Sequence, residues 1–435
     1  MKLLSRFNPM THALGDRNYL IYTVGNICSH FGMWAYRIAL QWLTWKLTGS
    51  TFWLGAIALA DLFPTVVLAP LAGAITERVN RLGMMRFAMA FTTLQATILA
   101  FFCLDEFVSI EKVFSLTLVL GLVLAINHPV RLVIVPNMVN RQRLASAVAI
   151  NSLVFNVARV GGPAIAGGII ALSGEEAWVV GVGIVFAFNA VASAIFAVAL
   201  IIIRLGAHAL PRSLVPLKEI PNEIKAGFKY TFSHPGIGVL MFVLFIVGVF
   251  GRTYIDLFSG FVDSVFGLGP DALGILVSSV GLGAVMGGFW LAQRGQIKGL
   301  TSIVISNILI LAVVLIIFAS TTKFYIAVGS VFVAGFSMTV AGTGEQTLIQ
   351  AAVDDYIRGR VISLYGAVSR GCPSLGSLLM GWAGDYVGLR WPVIFGAVIC
   401  ICLWFWTFKR RDDLKEALEN PNILEQYKNL KELKT

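Results

Sequence analysis

Apolar residues fall in runs of about 20, the length that crosses a hydrocarbon layer as a helix, and short stretches rich in Gly, Pro, Asn and charge separate them. The runs lie near 19–45, 52–75, 83–104, 113–138, 145–172, 177–203, 237–261, 271–293, 300–320, 324–349, 361–384 and 391–408. The pattern predicts an all-α membrane protein with twelve transmembrane helices. Residues 204–236 form the longest polar connection. Within them, KEIPNEIKAGFKYTF spaces Ile220, Ile224, Phe228 and Phe232 four apart, an apolar stripe on a helix with Lys218, Lys225 and Lys229 outside it. Such a helix lies on the inner membrane surface; the alternative is a calmodulin-like partner site. The chain therefore divides into an N-terminal six-helix bundle (1–203), a cytoplasmic linker (204–236), a C-terminal six-helix bundle (237–408) and a cytoplasmic tail (409–435) with a short helix of no evident chemistry.

Composition agrees with a bilayer protein. Apolar residues make up 57% of the chain and charged ones 13%, against roughly 45–50% and about 25% in soluble domains. The N-terminal stretch MKLLSRFNPMTHALGDRNY is too polar for a signal peptide. Five cysteines, Cys28, Cys103, Cys372, Cys400 and Cys402, sit in apolar stretches without a CxxC pair and read as small core hydrophobes. The net charge of +10 raises the question of nucleic acid. Its placement answers it: most Lys and Arg lie on the tails and on one set of connections, and only Lys46, Lys112, Lys323 and Arg390 lie near the opposite ends of the spans. That bias puts both termini in the cytoplasm, and no nucleic-acid partner is expected.

Two stretches and a weak internal repeat carry a resemblance. One constant offset superposes Phe31-Gly32 on Phe250-Gly251 and Leu54-Gly55 on Leu273-Gly274; a slightly different one sets Gly162-Pro163 on Cys372-Pro373. Between spans 2 and 3 stands GAITERVNR, with Gly73, Glu77, Arg78 and Arg81. In span 5, NVARVGGPAIAGG places Ala158, Arg159, Gly162, Pro163, Ala166 and Gly167, with Ala149 nine residues before Ala158. With these residues the whole chain resembles the major facilitator superfamily, most of all the third drug:proton antiporter group, the branch that includes the bacterial enterobactin exporter. It departs from that pattern at Glu77, where Asp is usual, at Asn80, where Gly is usual, and in alanines that replace glycines of span 5.

The resemblance implies two pseudo-symmetric bundles, spans 1, 4, 7 and 10 lining a cavity, alternating access, and a bacterial inner membrane. It also implies that Glu77 sits near the positive N-terminal end of span 11 and stabilises an inward-closed state. Read for themselves, the small residues of span 5 let two helices approach closely in lipid. Pro163 removes a donor and bends its helix. Ordinary small-residue packing is the alternative.

Charges within spans need protein or water partners, since insertion at mid-bilayer costs about 2.5–3.5 kcal/mol each. They are Arg37, Asp61, Arg131, Arg159, Arg252, Asp256, Glu345 and Arg370. In the repeat, Arg37 corresponds to Asp256 and Arg131 to Glu345. Two latches follow, an outer and an inner, made and broken alternately; static pairs within one half, such as Arg37 with Asp61, are the alternative. Proton coupling needs a titrating group, and Asp61, Asp256, Glu345, His30 and His128 are the candidates. Arginines outnumber carboxylates in the spans, which favours an anionic or amphiphilic substrate. Trp34, Tyr36, Trp42, Trp45, Phe250 and Tyr254 stack on aromatic substrates or form an interfacial belt.

The expected function is proton-coupled efflux of a small amphiphilic or anionic molecule of drug or siderophore type by a monomer. Import by symport, lysolipid flipping and a non-transporting receptor of the same fold are the alternatives. No cofactor or metal is expected, because GxxxxGK[ST] is absent and no HExxH pair occurs. An enzyme, which would need clustered nucleophile, base or metal ligands, is not expected with His30 and His128 the only intramembrane histidines.

Overall fold

The computed structural model describes residues 14–78, 80–204 and 220–419. Regular structure among them is helical: α1 (Arg17–Thr48), α2 (Thr51–Arg78), α3 (Arg81–Leu104), α4 (Ile110–Ile134), α5 (Leu144–Leu172), α6 (Trp178–Ile202), α7 (Ile220–Ser233) and α8 (Pro235–Ile246). After α8 come α9 (Pro270–Arg294), α10 (Leu300–Ser320), α11 (Phe324–Ala352), α12 (Arg358–Val387), α13 (Arg390–Lys409) and α14 (Arg411–Glu419). Ten stretches among the described residues are long and apolar enough to cross a membrane. α1 and α12, of 32 and 30 residues, have the length but not the apolarity. Asn26, His30, Arg37 and Gln41 interrupt the first, and Arg358, Arg360, Arg370 and Asp385 the second. The linker helix and the tail helix expected from sequence are α7 and α14.

Two expectations change. GAITERVNR is not a loop from its start, because α2 continues through Arg78; its run Ala-Ile-Thr-Glu-Arg contains no helix breaker. Span 7 is not one regular helix. α8 ends at Ile246, and a π turn (Val247–Gly251), a 3-10 turn (Thr253–Leu257), one α turn (Phe258–Gly260) and a second π turn (Phe261–Val265) follow. Gly248, Gly251 and Gly260 weaken the regular ladder here, and π turns within helices gather at functional sites. Arg252 and Asp256 stand in this irregular segment.

The chain forms two compact units. Unit 1 comprises Met1–Gly49, Ala60–Val215 and Val262–Ser278, and unit 2 comprises Ser50–Leu59, Pro216–Phe261 and Ser279–Thr435. In unit 1, Tyr22, Met85, Val130, Ile134, Phe196 and Leu200 form a buried core drawn from α1, α3, α4 and α6. Tyr19 ties α1 to α5, its hydroxyl donating to the Ala147 carbonyl at 2.8 Å. Backbones approach closely along α5. A Cβ built on Gly162 would stand 2.6 Å from Trp34 Cβ, and one on Gly167 2.6 Å from the Pro270 carbonyl oxygen. Ala158 and Ala166 are fully buried, Pro163 lies inside the helix, and Ser278 Oγ donates to the Val160 carbonyl at 2.7 Å. Gly167→Ala is therefore expected to lower stability by about 1–3 kcal/mol, the usual penalty of overpacking, read as a fall in the melting temperature of the purified protein.

In unit 2, Leu240, Leu244, Val304, Leu348, Ile349 and Val361 build the corresponding core. Two helices there are capped by carboxylates from far along the chain. Asp385, near the end of α12, accepts from Thr51 N at 2.6 Å, Thr51 Oγ1 at 2.8 Å, Ser50 Oγ at 2.7 Å and Phe52 N at 3.3 Å, at the start of α2. Glu419 accepts from Thr301 N at 2.8 Å and from Gly299 N at the start of α10, while Leu414 and Leu418 anchor α14 in the core. Both place negative charge on donors at a positive helix end. Replacing Glu419 by Ala should cost about 1 kcal/mol, seen as a lower melting temperature.

Candidate substrate and coupling site

One face of α1 in unit 1 presents Asn26, His30, Trp34 and Arg37 at helical spacing. Arg131 of α4 reaches it. Its Nη2 donates to Asn26 Oδ1 at 2.6 Å and lies 3.3 Å from His30 Nε2. A guanidinium has only donors, so His30 Nε2 accepts and its Nδ1, buried, has no partner among the described residues. Asn26 in turn donates to Asn151 of α5 at 2.7 Å. The aromatic wall comprises Phe155, edge-on to His30 and Trp34 at 5.5 and 5.8 Å, with Phe196 beneath Arg131 at 5.5 Å. Arg37 and Arg159 lie 5.4 and 5.8 Å from the Trp34 ring, within cation–π reach. Arg37 also pairs with Asp61 of α2, Nη2 to Oδ2, at 3.0 Å. The face therefore carries three guanidinium groups and one carboxylate, and the residues bonded to Arg131 are neutral.

Unit 2 holds the second cluster. Glu345 of α11 is 2% exposed, and Arg252, from the irregular segment after α8, is the cation that interacts with it. Arg252 lies against Gly342, one turn before Glu345: a Cβ built there would meet Nη2 at 2.8 Å. Tyr365 of α12 closes the other side, its hydroxyl donating to the Gly342 carbonyl at 2.9 Å. Asp256 accepts from Ser377 Oγ of α12.

Within unit 1, Arg37 thus pairs with Asp61 and Arg131 bonds Asn26 beside His30; within unit 2, Asp256 accepts from Ser377 and Glu345 lies in the field of Arg252. Arg370 is exposed on α12, and Arg81, partly exposed, opens α3, where Asn80 Oδ1 accepts from Gly83 N at 3.1 Å. The side chains of Gly73, Glu77, Arg78 and His128 lie outside the described residues. Sequence reasoning passed over Asn26, Asn151, Asp263 and Asp385. The first two are amides interrupting apolar runs, a visible irregularity. Asp263 is bound by Trp45 Nε1 and Lys46 Nζ, each at 2.9 Å, and lines a cavity of about 650 Å³ with Trp42, Glu175, Trp178 and Asp271. No cluster of ligands suited to a metal occurs among the described residues.

Solved structures share this fold. A POT family transporter aligns with a TM-score of 0.71 at 11% identity, over 92% of this chain and 97% of its own. A bacterial homologue of the iron transporter ferroportin gives 0.68 at 14% identity, over 89% and 98%. The fold is thus that of major facilitator transporters; the family match, with transporters among the relatives, makes the chain a membrane transporter of a small molecule and not an enzyme. Residues 5–423 match the family described as transmembrane secretion effector, and the chain belongs to it. Among its relatives, the staphyloferrin A transporter of Staphylococcus aureus (strain NCTC 8325 / PS 47) is 25% identical over 90% of this chain and 96% of its own. The multidrug efflux pump Tap of Mycolicibacterium fortuitum is 22% identical over 81% and 86%.

Proposed function

We propose that the chain is a proton-coupled exporter of an anionic or amphiphilic small molecule of siderophore or drug type, acting by alternating access in a bacterial plasma membrane. The observation that carries this reading is the environment of Arg131. A guanidinium in a membrane span, held by Asn26 and His30 rather than by a carboxylate, keeps its charge for an anionic ligand. Phe155, Trp34 and Arg159 beside it suit an aromatic or extended body. Export, siderophore and drug are supported by the names of the two relatives, an efflux pump and a siderophore transporter. α1 and α12 complete the set of twelve spans in this reading, with both termini in the cytoplasm by the distribution of Lys and Arg.

Glu345 is the coupling residue of choice, being a buried carboxylate in the field of the cation Arg252. Protonation of Glu345 frees Arg252, and Arg252 stands where the helix is least regular.

The test is transport by purified protein in liposomes with an imposed pH gradient and a panel of siderophores, anionic drugs, cationic drugs and lysolipids. Gradient-driven movement of an anionic compound is expected, and Arg131→Ala should weaken it by about tenfold to a hundredfold, the loss of a charged hydrogen bond of about 1.5–3 kcal/mol. Movement confined to cationic compounds, or insensitive to Arg131→Ala, overturns the reading.

A further inference from the structure

We infer that α7 is a docking face for anionic phospholipid: Lys225 and Lys229 hold the headgroup phosphate while Ile224, Phe228 and Phe232 enter the acyl layer. Position comes first. Only His234 separates α7 from α8, and its Nδ1 accepts from Gly236 N and Ile237 N at 3.2 Å each, which starts the next helix at once. The stretch Pro235–Val265 is long and apolar enough to span. α7 therefore ends one residue before a stretch able to span.

Its rotation is fixed by unit 2. Thr231 is fully buried. A Cβ on Gly227 would stand 3.1 Å from Arg360 Cβ, and the Tyr230 hydroxyl accepts from Asp354 N at 3.2 Å. That leaves Ile224, Phe228 and Phe232 on the free side, 48%, 53% and 55% exposed, with the two phenyl rings 4.5 Å apart. A contiguous apolar stripe open to solvent calls for a cover. Lys225 and Lys229 are exposed one turn apart beside it and form no ion pair among the described residues. Near the start of α12 the described charges are Asp354, Asp355, Arg358 and Arg360, with Arg358 bridged to Asp355; Arg370 and Asp385 lie further along the same helix.

Acyl chains and phosphate together satisfy both features of this face, as in interfacial helices with basic flanks. A protein that wraps a basic amphipathic helix would also need the Gly227 and Thr231 side, which the chain itself occupies.

Thermal shift of the full-length protein in detergent tests this, with phosphatidylglycerol, phosphatidylcholine or inorganic phosphate added to wild type and to Lys225→Gln/Lys229→Gln. Phosphatidylglycerol should raise the melting temperature and the other two should not. The double variant should need about 30-fold more phosphatidylglycerol for the same shift, which corresponds to about 1 kcal/mol per lysine. Equal shifts with phosphatidylcholine or phosphate, or an unchanged titration in the double variant, overturn the inference. Hydrogen exchange of amides 224–232 is the second readout, slowed by phosphatidylglycerol in wild type. Protection that instead grows with protein concentration in lipid-free detergent assigns the face to a second copy and overturns it too.

Discussion

Protein carrying Glu345→Gln will exchange substrate for substrate across a liposome membrane and will fail to accumulate it when a pH gradient is imposed. Glutamine keeps the size and most of the hydrogen bonding of the side chain, so α11 should pack as before. What it lacks is a proton that comes and goes. One proton moving through about 100 mV releases about 2.3 kcal/mol, enough for roughly 50-fold accumulation of a coupled solute. The variant should lose that accumulation entirely while its exchange rate stays near wild type. Arg252→Lys should give a milder form of the same split, since an ammonium retains charge without the planar fork of a guanidinium. Unchanged gradient-driven accumulation by Glu345→Gln would move the coupling role to Asp61 or Asp256.

The second large effect is expected at Asp385. Its carboxylate collects four donors at the beginning of α2, and hydrogen bonds to a charged group contribute about 1.5–3 kcal/mol each when unshared. Because the four share one carboxylate, Asp385→Ala should cost about 3 kcal/mol, and Asp385→Asn, which retains an acceptor, about 1 kcal/mol. Thermal unfolding in detergent gives the ordering, and hydrogen exchange at Thr51 and Phe52 localises it. Equal stability of all three proteins would mean that water serves this helix end as well as Asp385 does.

The apolar runs located the spanning helices because lipid demands long, closed backbone ladders. They also found α1 and α12 as long helices, although polar residues break the pattern there at Asn26, His30, Arg37, Arg370 and Asp385. The amphipathic stripe of α7 was equally legible, since Ile224, Phe228 and Phe232 fall on one face at any helix register. What periodicity does not encode is departure from the helix itself. Residues 237–261 read as one apolar run, and only Gly248, Gly251 and Gly260 with Arg252 hinted that the ladder changes there. Spatial partners were less accessible still. Arg131 was recognisable as a charge needing company, but Asn26 lies 105 positions away and carries no charge to advertise itself. The repeat suggested partners of opposite sign across the two halves; the amides, the hydroxyl and the charges that these groups meet within each unit carry no such signal.

The capping of α2 by Asp385 sets an order on biosynthesis. Thr51 and the residue that accepts its amide are 334 positions apart. At about 5–20 residues per second, that acceptor emerges from the ribosome roughly 20–70 s after its donor. For that interval the first turn of α2 has only solvent or lipid headgroups as acceptors, and α10 waits similarly for Glu419. Unit 2 can therefore close only after translation is nearly complete, so a nascent chain stalled before residue 385 should leave the beginning of α2 open to proteases and labels that never reach it in the finished protein.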